Sequence, residues 1–108
     1  MASQEYLDTK LQLQEQLRNL QPNMILAAEA KRNYKVAFAK KELELRLKGV
    51  ATTILKEQTE GDPEIADLRY AWDAAEIVAE CTKEAINVKK IELRGLQDED
   101  NREWRMNE

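Results

Sequence analysis

Apolar residues recur at alternating steps of three and four along the second half of the chain. The series is Ile65, Leu68, Trp72, Ala75, Ala79, Ile86, Leu93 and Leu96. Only Thr82 and Lys89 interrupt it. At 3.6 residues per turn, this spacing keeps the side chains on one side of an α-helix for about nine turns. The pattern predicts a long helix with a continuous packing seam.

A second apolar stripe lies beside this seam on the same predicted helix. Its members are Ala74, Ile77, Val78, Cys81, Ala85 and Val88. Two adjacent stripes form a face wider than one antiparallel helix covers. We therefore expect this helix to contact the predicted helix at about 23–48 and also either the one at about 3–20 or a second copy of itself, and we predict a homodimer. We expect Cys81 to pack as a small apolar residue.

Local signals mark where the helices begin and end. Ser3 is a candidate N-cap, and Gly49 is suited to the left-handed conformation of a helix C-cap. Pro22 lacks a backbone donor, which predicts a break and a restart there, with a kinked continuation as the alternative. Asp62 and Pro63 form a strong helix start. The predicted helices span about 3–20, 23–48, 51–60 and 63–97, with an extension to 105 as the alternative.

The two predicted N-terminal helices differ in how they would pack. The first has an apolar face of Tyr6, Leu13, Leu17 and Leu20, widened by Leu7 and Leu11. The second is rich in alanine around Tyr34 and Phe38. Small side chains let a neighbouring helix come close, while the two rings supply apolar area. This composition favours a tight helix pair.

The composition is typical of long helices. The 108 residues are 35% charged and 6% aromatic, with three glycines and two prolines, as in coiled coils. We predict a single all-α domain over residues 1–108, an antiparallel helical hairpin or bundle with one long C-terminal coiled-coil helix. A net charge of -4 argues against nucleic-acid binding over the whole surface. The sequence shows neither a secretion signal nor a membrane span, so we expect no membrane partner and a cytoplasmic location.

Residues that usually perform catalysis are scarce. The chain contains no histidine and one cysteine, which removes the commonest general base and the usual zinc ligands. Its three glycines form no phosphate-binding loop. Glu76, Glu80 and Glu84 share a helix face, which we interpret as solvated. We therefore predict that the protein is not an enzyme and that it uses no metal or cofactor.

Basic residues are concentrated in the second predicted helix. They include Lys31, Arg32, Lys35, Lys40 and Lys41. One interpretation is a surface that binds nucleic acid, with Tyr34 nearby, or an acidic protein partner. The alternative is that these charges pair with acidic faces of neighbouring helices and direct helix pairing. The C-terminal segment has the opposite character, with Asp98, Glu99 and Asp100 in succession.

Trp104 is a large apolar residue in a polar segment, between Glu103 and Arg105. Tryptophan is enriched among the anchors of protein interfaces. Two interpretations remain open: Trp104 anchors an interface with a partner, or it folds back to cap the bundle or to hold the tail in a dimer.

Several segments together resemble a known group of proteins. They are the Ala- and Tyr-rich basic helix, the Gly61–Arg69 helix start, Lys83–Asn87, Lys89–Leu96 and Trp104. Over roughly residues 23–104, the chain is similar to small helical coiled-coil proteins that bacteriophages and prophages encode, often among genes for early DNA metabolism and recombination. The resemblance implies a phage origin, a helical hairpin and a location in the bacterial host cytoplasm. It implies no catalytic residues.

These observations lead to three hypotheses about function. The first is a non-enzymatic, phage-derived interaction protein that docks on a host or phage DNA-processing or defence factor, for example as an inhibitor such as an anti-CRISPR protein. The second is a nucleic-acid-binding accessory protein that uses the basic face. The third is an architectural coiled coil of the virion.

Overall fold

The structure, a computed structural model, describes residues 3–106 and is all-α. It contains α1 (Gln4–Leu47), α2 (Thr52–Glu60) and α3 (Pro63–Met106). None of the described residues lies in a strand. The predicted all-α class is confirmed, and so is the long C-terminal helix, which has 44 residues.

The predicted restart at Pro22 is wrong, because α1 continues through this residue to Leu47. The alternative, a continuation, is what the structure shows. A proline inside a helix leaves the carbonyl four residues earlier without its usual donor. Here both Pro22 and Arg18 have exposed side chains. The carbonyl that loses its donor therefore lies on the side of α1 where water can bind it.

The C-terminus of α1 is closed by Gly49, which has a φ of 90°. The Gly49 amide donates to the carbonyl of Arg46 at 3.0 Å, and the Val50 amide donates to that of Leu45 at 3.1 Å. These two hydrogen bonds form a Schellman motif, which requires the left-handed conformation that glycine adopts without strain.

Side-chain N-caps begin both long helices. Ser3 Oγ accepts a hydrogen bond from the Tyr6 amide at 3.1 Å. Asp62 Oδ1 accepts from the amides of Glu64 at 3.1 Å and Ile65 at 3.3 Å. Each cap satisfies backbone donors that the first turn leaves without a helical partner. The helix starts expected from the sequence therefore have a local cause.

The contacts within the chain form two units. The terminal unit consists of the described residues up to Pro22 together with those from Ala79 onward, and the central unit is Asn23–Val78. Each long helix contributes a segment to both units.

The terminal unit has a small buried core. Its buried residues are Thr9, Ala79, Thr82 and Ile86. Its two helical segments also meet where the Gln97 side chain donates to the Tyr6 hydroxyl at 3.2 Å. Two threonines in so small a core limit the apolar area that stabilises this unit.

The face expected on the first helix is only partly correct. Tyr6, Leu13 and Leu20 are half-buried, but Leu17 is exposed, as are Leu7 and Leu11. Thr9 and Gln16 are the other residues of low exposure. The less exposed positions therefore follow a strict alternation of three and four residues, the geometry of a coiled-coil seam, which admits polar residues.

The buried residues of the central unit lie on α2 and α3. Leu55 and Thr59 of α2 are buried together with Ile65 of α3. The Thr59 hydroxyl donates to the Leu55 carbonyl at 2.7 Å, so the buried hydroxyl is satisfied within its own helix.

The segments of α1 and α3 in the central unit run antiparallel. Tyr34 packs on Trp72, while Lys41, further along α1, pairs with Asp62 just before α3 begins. Moving along α1 from Tyr34 to Lys41 therefore corresponds to moving backwards in the sequence from Trp72 to Asp62. This order fixes the register of the two segments.

The seam of α3 is its least exposed side. Ile65, Ala79 and Ile86 are buried, and the other five members, Leu68, Trp72, Ala75, Leu93 and Leu96, are half-buried. Thr82 is buried and Lys89 half-buried, so the two interruptions also lie in this seam.

The second stripe of α3 is mostly exposed. Ile77, Val78 and Val88 each leave more than half of their surface in solvent. Cys81 is exposed as well, so its expected packing is wrong for the single chain. Within this chain, the neighbouring helix covers one seam and leaves most of the adjacent stripe uncovered.

Candidate interaction surfaces

The five basic residues singled out in the sequence all lie on α1 in the central unit. They do not form one continuous face. Successive residues of a helix point about 100° apart, and the structure divides the cations among three environments. Lys31 lies over Trp72, Lys35 lies beside Tyr34 and Phe38, and the remaining three line a groove between α1 and α3.

Lys31 belongs to an aromatic cluster centred on Trp72. The Trp72 ring lies 5.5 Å from the Tyr34 ring, centroid to centroid. The Arg69 guanidinium is 4.1 Å and the Lys31 Nζ 5.7 Å from the Trp72 ring centroid. The indole N–H donates to Glu76 at 2.7 Å. These ring–ring and cation–π contacts join the two helices, so Lys31 has a structural role here.

Arg69 is a central member of this cluster that the sequence pattern did not single out. Its guanidinium also lies 5.5 Å from the Tyr34 ring centroid and pairs with Asp73 at 3.2 Å. An arginine paired with an acidic residue one turn away is common on helix surfaces. Its position over two rings depends on the register between α1 and α3, which no local signal in the sequence reports.

A second surface, which we call the Lys40 groove, lies between α1 and the first turn of α3. It holds a cavity of about 310 Å³. Apolar lining comes from Val36, Ala37 and Ile65. The polar lining residues are Arg32, Asn33, Lys40, Lys41, Glu44 and Glu64. The groove therefore combines apolar contact area with charges of both signs.

Lys41 is held within the Lys40 groove by carboxylates of this chain. Its Nζ lies 3.2 Å from Asp62 Oδ2 and 3.8 Å from Glu44 Oε1. The hydrogen bond with Asp62, reinforced by the charges of Asp62, Glu44 and Glu64, raises the pKa of Lys41 despite its partial desolvation. Lys41 is thus neutralised by neighbours in this groove.

The two carboxylates beside Lys41 are also occupied. Glu44 accepts a hydrogen bond from Lys48 at 3.0 Å, and this bond, with the charge of Lys41, lowers the pKa of Glu44. For Asp62, desolvation raises the pKa, but the bonds from Lys41 and from the amides of Ile65 and Glu64 outweigh it, so the pKa is lowered. Both groups are held in the ionised form.

Arg32 and Lys40 differ from Lys41, because neither makes an ion pair or hydrogen bond with another described residue. Both side chains are exposed. They lie eight residues apart on α1 with Val36 midway between them, so the three share one side of the helix over about 12 Å.

A third surface, the aromatic pocket, lies where α1 meets α2. It has a volume of about 190 Å³ and is lined by Tyr34, Phe38, Lys35, Lys56 and Glu60. The rings of Tyr34 and Phe38 are 5.8 Å apart, centroid to centroid, and tilted by 48°. Both residues are half-buried. The pocket presents apolar ring area with lysines at its rim.

The terminal unit contains Trp104 and an acidic cavity. The Trp104 side chain is 68% exposed and makes no ring contact or hydrogen bond with another described residue. In the same unit, a cavity of about 360 Å³ between α1 and α3 is lined by Glu5, Thr9, Glu92, Gly95, Leu96, Glu99 and Arg102. Within the described chain, Trp104 therefore caps no core and leaves its indole available.

Two other kinds of feature are absent from the part of the chain that the structure describes. No group of three or more histidine, cysteine, aspartate or glutamate side chains in residues 3–106 is arranged to hold a metal ion. No helix in this part of the chain is both long and apolar enough to cross a membrane.

Comparison with known protein families, curated proteins and solved structures gives no significant match to the chain.

Proposed function

We propose that this protein is a non-enzymatic helical interaction module that docks on a protein partner. One observation carries the proposal: large apolar side chains remain exposed around its helices. Met24, Ile25 and Leu26 are consecutive in α1 and are 45%, 48% and 57% exposed. Because consecutive residues point in directions about 100° apart, α1 is apolar on several sides at this point. A helix that is apolar all round is normally buried.

Affinity capture from bacterial and phage-infected lysate, with and without nuclease, tests the proposal. We expect a protein partner that survives nuclease treatment. Ile25→Glu should abolish its capture, because a charge then replaces an exposed apolar side chain. Gln58→Glu is the matched control, since it adds the same charge at an exposed polar position of the same unit. Equal capture by both variants, or no partner at all, would contradict the proposal.

The partner's identity is proposed more finely as a host or phage DNA-processing or defence factor, with the chain acting as its inhibitor, such as an anti-CRISPR protein. The support is the resemblance to phage-encoded helical proteins. A bacterial strain with active CRISPR interference and expressing this chain should lose interference against a targeted plasmid. Unchanged interference would contradict the anti-CRISPR hypothesis but not the proposal that the chain docks on a protein.

Nucleic-acid binding is the second candidate function, and the aromatic pocket favours it. Tyr34 and Phe38 offer rings on which a base can stack, and Lys35 and Lys56 lie close enough to meet a phosphate. A fluorescent single-stranded oligonucleotide should then bind with strong salt dependence. Lys35→Glu with Lys56→Glu should weaken that binding, whereas Arg18→Glu with Lys90→Glu, outside the pocket, should preserve it.

A further inference from the structure

The Lys40 groove contains two cations that no carboxylate of the described chain neutralises. Arg32 and Lys40 are exposed and lack ion pairs, whereas Lys41 beside them is held by Asp62 and Glu44. Asp62 and Glu44 therefore pair with Lys41 and Lys48. Arg32 and Lys40 keep their charges unpaired. Two unneutralised cations beside an apolar surface are complementary to a ligand that carries both acidic and apolar groups.

The positions of these residues specify that ligand further. Arg32, Val36 and Lys40 follow one another at four-residue steps on α1, and Val36 is itself 44% exposed. The order is cation, apolar residue, cation, with about 12 Å between the ends. A helix that places a carboxylate, an apolar residue and a second carboxylate at similar steps matches all three positions.

We propose that the Lys40 groove binds an acidic amphipathic helix of a protein partner. An apolar side chain of that helix packs on Val36 and Ala37, and its two carboxylates, seven or eight residues apart, pair with Arg32 and Lys40. The proposal rests on the proposed function, because it names the partner surface that the interaction module recognises. Laying an apolar helix face into a groove is a common mode of peptide recognition.

The size of the groove admits this occupant, and its charge favours a helix over a nucleic acid. The cavity of about 310 Å³ is larger than the cavity of about 150 Å³ that takes up benzene, so an apolar side chain of a partner helix fits into it. A nucleic-acid backbone would bring phosphates towards Glu44 and Glu64, which also line the groove, and like charges repel. A helix can place its carboxylates only where the free cations are.

Peptide selection tests the proposal and does not require the partner to be identified. The probe is a display library of random 16-residue peptides, panned on the full chain. We expect the selected sequences to share two carboxylates seven or eight positions apart with an apolar residue between them. Selection of peptides that lack this pattern, or of none, would overturn the proposal.

Charge reversal then tests the site itself. Arg32→Glu with Lys40→Glu should weaken the selected peptides by at least about tenfold in fluorescence anisotropy, with weaker binding at higher salt. The double variant should keep its helical circular dichroism, because neither side chain makes an ion pair or hydrogen bond with another described residue. Arg18→Glu with Lys90→Glu makes the same change of charge at exposed positions in the terminal unit. Equal weakening by both double variants would overturn the assignment.

One competing occupant is a second copy of this chain. Asp100, Trp104 and Glu108 also follow one another at four-residue steps. The test is a synthetic peptide of residues 97–108. If it binds as tightly as the selected peptides and with the same sensitivity to charge reversal, the occupant of the groove is a second copy of this chain and not a foreign helix.

The lysate experiment separates failure of this inference from failure of the proposed function. If the parent chain and the Arg32→Glu, Lys40→Glu variant capture the same nuclease-resistant partner equally, docking stands and the groove is not its site. If neither captures a partner, the proposed function fails. Loss of capture in this variant alone supports both.

Discussion

The different burial of two isoleucines on α3 yields a quantitative prediction. Ile86 is 4% exposed and Ile91 is 69% exposed, and both lie in the terminal unit. Ile86→Ala removes three carbon groups from the core, a transfer cost of about 2.4 kcal/mol at about 0.8 kcal/mol each. The residual cavity adds to it, so we expect a total loss near 3 kcal/mol, within the usual range of about 2–5.

Ile91→Ala is the matched control, because it makes the same chemical change on the same helix. We expect it to alter the free energy of unfolding by less than about 0.5 kcal/mol, as exposed substitutions usually do. Urea unfolding followed by circular dichroism at 222 nm measures both variants. In thermal unfolding, Ile86→Ala should lower Tm by about 12–24 °C, at 4–8 °C per kcal/mol for a domain of this size.

The measurement is made at two protein concentrations tenfold apart. Equal destabilisation by the two variants at both concentrations would refute the argument from burial. A loss in Ile91→Ala that grows with concentration would instead mean that Ile91 is buried between copies of the chain, because self-association makes stability depend on concentration.

Three further predictions concern Pro22 in α1, the ion pair of Lys89 with Glu92, and the ion pair of Lys41 with Asp62. Pro22→Ala should raise stability by up to about 3 kcal/mol in urea unfolding, because it restores a donor to a continuous helix; a fall would show that the fixed proline geometry stabilises α1. Lys89→Leu should leave Tm equal or raise it, because its half-buried side chain lies in the seam and its pair with Glu92 at 3.2 Å is partly exposed and weak; a loss above about 1 kcal/mol would contradict this. For the pair between Lys41 and Asp62, the lowered carboxyl pKa means that its stabilisation is present above the ordinary value of 3.8 and is lost as the pH falls through the lowered pKa. The raised pKa of Lys41 means that the stabilisation is present below 10.5 and is lost as the pH rises through the raised value. The Tm difference between the parent and Asp62→Asn, which retains a capping side chain, should therefore stay constant between these limits and shrink beyond them; a difference that does not change with pH would exclude a charge effect.

The candidate surfaces were only partly predictable from the sequence. The concentration of cations on α1 is visible in the residues themselves, and Trp104 is conspicuous in its polar segment. The difference between Lys41, which is paired, and Lys40, which is free, is not visible, because Asp62 is 21 positions away along the chain. Arg69 was missed for the same reason, since it meets Tyr34 only through the pairing of two helices.

By itself, the sequence determined the features that depend on neighbours within a few residues. Ser3 and Asp62 cap the helices that follow them, and Gly49 ends α1, because each acts on backbone groups one turn away. The seam of α3 was likewise readable, because helical periodicity alone places its members on one side.

Other features depend on the register and number of the packed helices, and only the tertiary structure decided them. Continuity through Pro22 reflects a long helix whose packing overrides a local preference, with the proline on an exposed side. The exposure of Cys81 and of the second stripe reflects how much of α3 a single chain covers. Periodicity shows that a face is apolar, but which element covers it, and which charges are neutralised beside it, is settled by contacts between residues far apart in the chain.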